Sequence, residues 1–300
     1  MEQNQLFNHW FEILEKDIII LPDKSEENTD NTLRALWQLA CGIQVSPIVA
    51  EKLDLTILNS TQIVVLEELI QSRLSGVPLA HLTERQHFMG LDYILNKGLY
   101  IPRKETELLA KTAIETISAD FASEPMINVL DLCTGIGTVA LAIANYCSNT
   151  QVYGSDIYEP AIGAAKINAQ HFHLEDRSSF FHADLFEPFE TLDLKEHTHL
   201  IVSAPPYIST IKVKQMATEI ANHEPEEAFD AGPFGLSIFN QLISVAPEYL
   251  QVNGYLIFEC GLGQGEFLIN RIAKNKQYGD VTPICDENGN IRVIKAKKVC

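Results

Sequence analysis

The segment Val129-Leu-Asp-Leu-Cys-Thr-Gly-Ile-Gly137 holds the residues best suited to chemistry. An apolar strand runs up to Asp131, a glycine-bearing turn follows, and a helix opens at Thr138. Gly135 and Gly137 permit positive φ and close approach of a ligand to the backbone, whose N–H groups favour a hydrogen-bond acceptor. Nineteen residues after Gly137 comes Asp156, at the end of a second strand, Val-Tyr-Gly-Ser-Asp. A carboxylate there can accept hydrogen bonds from both hydroxyls of a ribose. Asp184 ends a third strand in His182-Ala-Asp-Leu-Phe186, where it would receive an adenine amino group. Any one of these acids could merely cap the helix behind it. Three in succession, with the glycine loop, point to a nucleoside at the carboxyl edge of a parallel sheet.

The phosphate-loop pattern GxxxxGK[ST] is absent and no clean GxGxxG fits. The expected ligand is therefore S-adenosylmethionine, which carries no phosphate, and not a nucleotide di- or triphosphate.

These acids need a scaffold, and the apolar rhythm supplies one. Strands are expected at 127–130, 151–155, 179–182, 200–203 and 254–259, and helices at 138–147, 160–172, 235–250 and 264–274. Strands alternating with helices of 10 or more residues mean an α/β, doubly wound parallel sheet. Residues 279–285 and 290–297 read as a hairpin around Asp286-Glu287-Asn288-Gly289. The first hundred residues differ. Helical spacing runs through 4–21, Leu33 to Ala40 and Ile63 to Leu74, with Gly42 and Gly76 as stops and the polar stretch Pro22 to Asn31 as a loop. Residues 86–101 suggest a hairpin and 106–118 a further helix. The expected organisation is a helical domain over 1–78, a hairpin segment over 79–105 and an α/β domain over 106–300.

Composition narrows the function. The chain has 300 residues, 46% hydrophobic and 21% charged, enough to build a core. Its 22 Lys+Arg against 40 Asp+Glu leave a net charge of −18, which disfavours binding to nucleic acid. The nearest basic patch, Lys295 to Lys298, reads as a solvated strand end. No apolar run reaches the roughly 18 residues of a membrane span, and no secretory signal is expected. The six cysteines lack metal spacing and read as reduced, buried thiols in a cytoplasmic protein. His171, His173, His197 and His199 read as solvated helix or loop residues, and no metal is expected.

Asp131-Leu-Cys-Thr-Gly-Ile-Gly137 resembles motif I of class I methyltransferases. From about residue 31 onward the chain is similar to the glutamine methyltransferases that modify the GGQ motif of peptide chain release factors, or their relatives acting on a ribosomal protein. Gly76-Val-Pro-Leu-Ala-His-Leu82, Phe88-Met-Gly90 and Ile101-Pro-Arg-Lys-Glu-Thr-Glu107 match family blocks, the last departing at Lys104. His223-Glu-Pro225, Ala231-Gly-Pro-Phe-Gly-Leu236 and Glu259-Cys-Gly-Leu-Gly-Gln264 follow in order. The resemblance implies a seven-stranded, Rossmann-like methyltransferase domain behind a small helical domain. It places S-adenosylmethionine on Asp131, Cys133, Thr134, Gly135, Ile136, Gly137, Asp156, Asp184 and Leu185, with Cys133 as a packing thiol and Leu185 as a wall for adenine. Glu105 and Glu107 could line that pocket or be exposed acids at a helix start.

One position departs. The family's fourth strand ends in NPPY, whereas Ala204-Pro205-Pro206-Tyr207 stands here without a gap. In the family the asparagine oxygen and a proline carbonyl accept both N–H bonds of the substrate amide and aim its nitrogen at the methyl group. Ala204 has no such oxygen. Three readings follow: a weakened glutamine methyltransferase, with water or Ser203 as substitute acceptor; an enzyme for another nucleophile, on a small molecule or another protein; or a non-catalytic relative. Methylation of a nucleic-acid base is disfavoured by the net charge and by Ala204.

Overall fold

A computed structural model describes residues 3–300. The chain forms two units, Met1–Lys104 with Met216–Glu224, and Glu105–Gln215 with Pro225–Cys300. The first holds α1 (Gln3–Asp17), α2 (Thr29–Ala40), α3 (Pro47–Ala50), α4 (Ser60–Leu74) and α5 (Leu79–Thr83), followed by the hairpin β1 (Arg85–Phe88) and β2 (Leu91–Ile94). Asn28 caps α2, and Asn59 with Gln62 forms a reciprocal capping box on α4. Leu14, Leu33, Leu36, Trp37, Leu66 and Ile70 meet in the core of this unit. At the hairpin tip Met89 and Gly90 both take positive φ (50° and 79°), the primed turn that suits twisted strands.

The polar stretch Pro22 to Asn31, expected as a loop, holds a short turn at Ser25–Glu27 and the start of α2, and it carries buried charge. Lys24 and Glu27 are 3% and 2% exposed. Lys24 Nζ lies 2.9 Å from a Glu219 carboxylate oxygen, and Arg73 binds both Glu27 (3.2 Å) and Glu219 (3.1 Å). Burial of charge is tolerated here because every member has an opposite partner. Glu219 is 195 residues from Lys24 along the chain, so no local pattern could show the pairing. Glu224, from the same late segment, accepts from the Ile101 N–H (2.9 Å) and from Arg103 (2.6 Å).

In the second unit α6 (Glu107–Asp120) precedes β3 (Ile127–Leu132), α7 (Thr138–Tyr146), β4 (Thr150–Asp156), α8 (Glu159–His171), β5 (Ser178–His182) and β6 (Thr198–Ser203). After β6 come α9 (Thr210–Val213) and α10 (Thr218–Ala221), the latter in the segment that belongs to the first unit. The chain then completes α11 (Ser237–Tyr249), β7 (Leu250–Glu259), α12 (Gly265–Ile272), β8 (Tyr278–Cys285) and β9 (Ile291–Lys298). The seven strands lie in the order β5-β4-β3-β6-β7-β9-β8, with β9 antiparallel to both neighbours and the rest parallel. This is the doubly wound, seven-stranded sheet expected. The order reverses between β3 and β6, which makes their carboxyl ends the switch point where such sheets bind ligands. Leu130, Leu132, Ile201, Leu256 and Phe258 share one core with α11 and α12. Asp131 faces the other way, toward the N-terminal turn of α7.

Three surface readings need correction. His199 sits within β6, 7% exposed, its Nδ1 accepting the Asn128 N–H, because β6 is buried on both faces. Lys298 is 4% exposed and donates to the carbonyls of Pro247 (2.8 Å) and Leu250 (2.7 Å), satisfying the C-terminal end of α11. Cys285 and Cys300 are exposed thiols, not buried ones. Among the described residues no helix is long and apolar enough to cross a membrane.

Candidate active site

The loop between β3 and α7 is shaped by Asp131. Its Oδ2 accepts from the Thr134 hydroxyl (2.6 Å) and from the Ala140 N–H (3.1 Å), so one buried oxygen ties the turn to the first turn of α7. Burial pushes the Asp131 carboxyl up to about 7, against the pull of these two bonds. Thr134 is further held by its N–H to the Ser155 carbonyl (3.0 Å). Ile136 is buried, and its carbonyl accepts from Asn168 (3.2 Å). Asp131, Thr134 and Ile136 thus build the loop from within.

Cys133 and Gly135 are half-buried, Cys133 packing against the main core. Gly135 has φ +56°, and a side chain there would meet nothing within 4 Å. The space above this left-handed glycine is open, so a ligand could approach the backbone there. Gly137 has another task, since a Cβ on it would press on Phe180, Ala165 and Leu141 at 3.1–3.2 Å.

Asp156, the last residue of β4, borders the same space. Its Oδ2 accepts from the Gly135 N–H (2.8 Å) and its Oδ1 from the Tyr158 N–H (2.9 Å). Each oxygen keeps a lone pair for a further donor such as a ribose hydroxyl. Burial raises its pKa, while the two N–H bonds oppose the rise. Asp184 is exposed and lies two residues past the end of β5. Leu185, at φ +39°, turns its side chain into the main core and accepts the Ser155 hydroxyl on its carbonyl (2.7 Å). A cofactor bound as proposed would therefore meet Cys133, Gly135, Asp156 and Asp184, with Asp131, Thr134, Ile136, Gly137 and Leu185 as the frame. These residues fit an adenosyl group. The Cys133 thiol is raised well above its ordinary value by burial and by the nearby carboxylates, so it is no thiolate nucleophile.

Across the switch point, Ala204, Pro205, Pro206 and Tyr207 follow β6 without regular structure. Ser203 is committed within the sheet, its hydroxyl donating to the Leu132 carbonyl (2.7 Å). Tyr207 is held by its neighbours. Its hydroxyl donates to Glu259 Oε1 (3.2 Å), and its carbonyl accepts from Gln264 Nε2 (3.0 Å). Arg292 Nη2 lies 3.4 Å from the same Glu259 oxygen. Of the two acids left undecided, Glu107 pairs with Lys111 (3.2 Å), while the charge of Glu105 acts on Glu259 and Arg292. Sequence reasoning gave no role to Glu259, Gln264 or Arg292. The 259–264 block signalled the first two, but Arg292 reaches the site only through the pairing of β9 with β7. Among the described residues no cluster of His, Cys, Asp and Glu is arranged to hold a metal.

A family model described as the methyltransferase small domain matches residues 106–232. The release factor glutamine methyltransferase of Clostridium acetobutylicum is 33% identical over 201 residues, covering 67% of this chain and 68% of that protein. That of Geobacter sulfurreducens is 32% identical over 237 residues, covering 79% of each. That of Rhodopirellula baltica is 32% identical over 240 residues, again 79% of each. With the glycine loop, the Asp156 edge and these likenesses in hand, the chain belongs to the release factor glutamine methyltransferase family of S-adenosylmethionine-dependent methyltransferases.

Proposed function

We propose that this protein methylates the side-chain amide of a glutamine in a release-factor GGQ motif, in the cytoplasm, and does so more slowly than relatives that carry the loop asparagine. The observation that carries the reading is the run of relatives with that name across most of the chain. The name of those relatives states the acceptor. The cofactor, when bound, supplies a methyl group on a sulfonium with a neutral thioether as leaving group. Asp156 would hold its ribose, with Gly135 leaving the space above the loop clear and Asp184 at the adenine edge. Asp131 keeps that loop in place.

The acceptor would enter over Ala204 to Tyr207. Pro205 and Pro206 restrict the backbone there, and Tyr207 is fixed by Glu259 and Gln264, so the loop retains a defined form. Positioning carries the catalysis, because an amide nitrogen is a weak nucleophile and must be aimed. Without the asparagine oxygen one substrate N–H loses its acceptor, and loss of one such positioned group costs about 10²–10³ in rate. Ser203 does not make good the loss, since it is fully buried in β6, where its hydroxyl already bonds the Leu132 carbonyl and the Cys133 thiol. The domain of residues 1–78 is proposed to recognise the protein substrate.

A second reading draws on Ala204 itself: a smaller residue makes room for a different nucleophile. Incubation of wild type and Ala204→Asn with release factor, read by mass spectrometry of the GGQ peptide, separates the two. Under the first reading the asparagine raises GGQ methylation by at least about tenfold, or ~1.4 kcal/mol of barrier. GGQ methylation at background for both proteins would leave the second reading or a non-catalytic relative. Robust wild-type methylation that the asparagine does not improve would show that Ala204 costs nothing.

A further inference from the structure

The residue that shapes the acceptor loop from behind lies on the neighbouring strand. Ser203 and Phe258 are register partners in the parallel pair β6–β7, and Ala204 and Glu259 are the next residues along the two chains. Glu259 is 3% exposed. Its Oε1 accepts the Tyr207 hydroxyl, and the Arg292 guanidinium from β9 approaches the same oxygen. Tyr207 also acts electrostatically on Arg292, which places the three groups together. The far side of the tyrosine is closed. A Cβ on Gly261 would come within 2.9 Å of Tyr207 Cδ2, and one on Gly235 within 2.6 Å of the Tyr207 carbonyl. Gln264 bridges these two turns, its Oε1 accepting the Gly261 N–H (2.9 Å) and its Nε2 reaching the carbonyls of Tyr207 and Gly235.

A carboxylate buried at the end of a central strand is costly unless it is paired and hydrogen-bonded, and Arg292 and the Tyr207 hydroxyl are partners of Glu259. We infer that Glu259, held by Arg292, is a positioning residue that sets the pose of the Tyr207 ring and through it the alignment of the methyl acceptor. The inference rests on the reading that the acceptor enters over Ala204 to Tyr207. With the loop asparagine replaced, the tyrosine is the remaining polar side chain of the Ala204–Tyr207 stretch, and its pose carries more of the alignment. Four elements fix it: the end of β7, the strand β9, and the turns at 235 and 261.

The test uses the full chain labelled with 3-fluorotyrosine, with the Tyr207 signal assigned by its absence in Tyr207→Phe. Glu259→Ala should shift or broaden that fluorine resonance. It should lower kcat for methyl transfer to release factor about tenfold, the worth of one hydrogen bond to a charged group, while S-adenosylhomocysteine affinity stays within about twofold. Glu259→Gln keeps an acceptor oxygen and should return most of both readouts. Combining Glu259→Ala with Tyr207→Phe should cost no more than Tyr207→Phe alone. An unmoved fluorine resonance, additive losses, or a glutamine variant no better than alanine would overturn the inference. If wild type transfers no methyl group to release factor, the functional reading falls, and the fluorine signal still decides the role of Glu259. Should Glu259→Ala fail to fold, the remaining pair decides: Glu259→Gln must keep the resonance and Tyr207→Phe must lose the rate.

Discussion

Asp131→Asn tests whether the buried carboxyl beneath the glycine loop is a frame and not a ligand. The group is 1% exposed, and one oxygen takes both the Thr134 hydroxyl and the Ala140 N–H. Burial holds its folded pKa at about 7, whereas an unfolded aspartate titrates near ~4. The folded state therefore binds the proton more tightly. The stability this group contributes is full below the unfolded pKa and is lost as pH rises from ~4 through about 7. Each pH unit in that window is worth about 1.4 kcal/mol, so the two units from pH 5 to 7 remove roughly 2–3 kcal/mol from the wild type. Asparagine keeps an oxygen for both donors and has no proton to lose. Its stability relative to wild type should rise by about 2–3 kcal/mol between pH 5 and pH 8. Urea unfolding followed by far-ultraviolet circular dichroism reads this, because both tryptophans, Trp10 and Trp37, lie in the other unit. Parallel wild-type and variant curves across that range would refute the reasoning, as would a variant that loses ground at pH 8.

Two further outcomes are expected. Asp156→Ala should weaken S-adenosylhomocysteine binding by about 10- to 100-fold in calorimetry, the worth of hydrogen bonds to a charged acceptor, and wild-type affinity in the variant would remove Asp156 from the site. Arg73→Met leaves Glu27 and Glu219 facing each other with only Lys24 between them, and should destabilise the first unit by about 3–5 kcal/mol in tryptophan-detected unfolding. A loss below about 1 kcal/mol would mean that the cluster is not the buried network described.

What could be read from the sequence was whatever depends on local order. The β3–α7 loop announces itself because strand, glycine turn and helix are contiguous, and Asp156 because it ends the next apolar run. β7 was harder. It begins at Leu250, four residues before the start inferred from Gly254, because that glycine lies inside the strand, where a Cβ would meet the His199 carbonyl at 2.9 Å. Glycine reads as a breaker when its neighbour across the sheet is unknown. Lys298 and His199 were misplaced for the same reason, since each is polar in type but satisfied by a partner distant in sequence. The charges of Pro22 to Asn31 gave no sign in the sequence of the partners, Arg73 and Glu219, that the fold brings to them.

That distinction bears on Ala204. Local sequence shows the loss of an oxygen but not the surroundings into which it is lost. Ser203, the nearest replacement along the chain, is bound to Leu132, and the nearest polar group across the sheet is Glu259, already engaged by Tyr207 and Arg292. No side chain close in sequence takes over the role of the asparagine, while the parts that shape the loop remain. Pro205 and Pro206 limit the backbone, Gln264 pins the Tyr207 carbonyl, and Glu259 holds its hydroxyl. If the acceptor enters over this loop as proposed, an alanine in a loop so held changes one contact with it and little of the loop's form. On the proposed reading, the consequence is expected in the rate and selectivity of transfer and not in the fold or in cofactor binding, because Gly135 and Asp156 follow β3 and β4 and are tied to each other and to Tyr158.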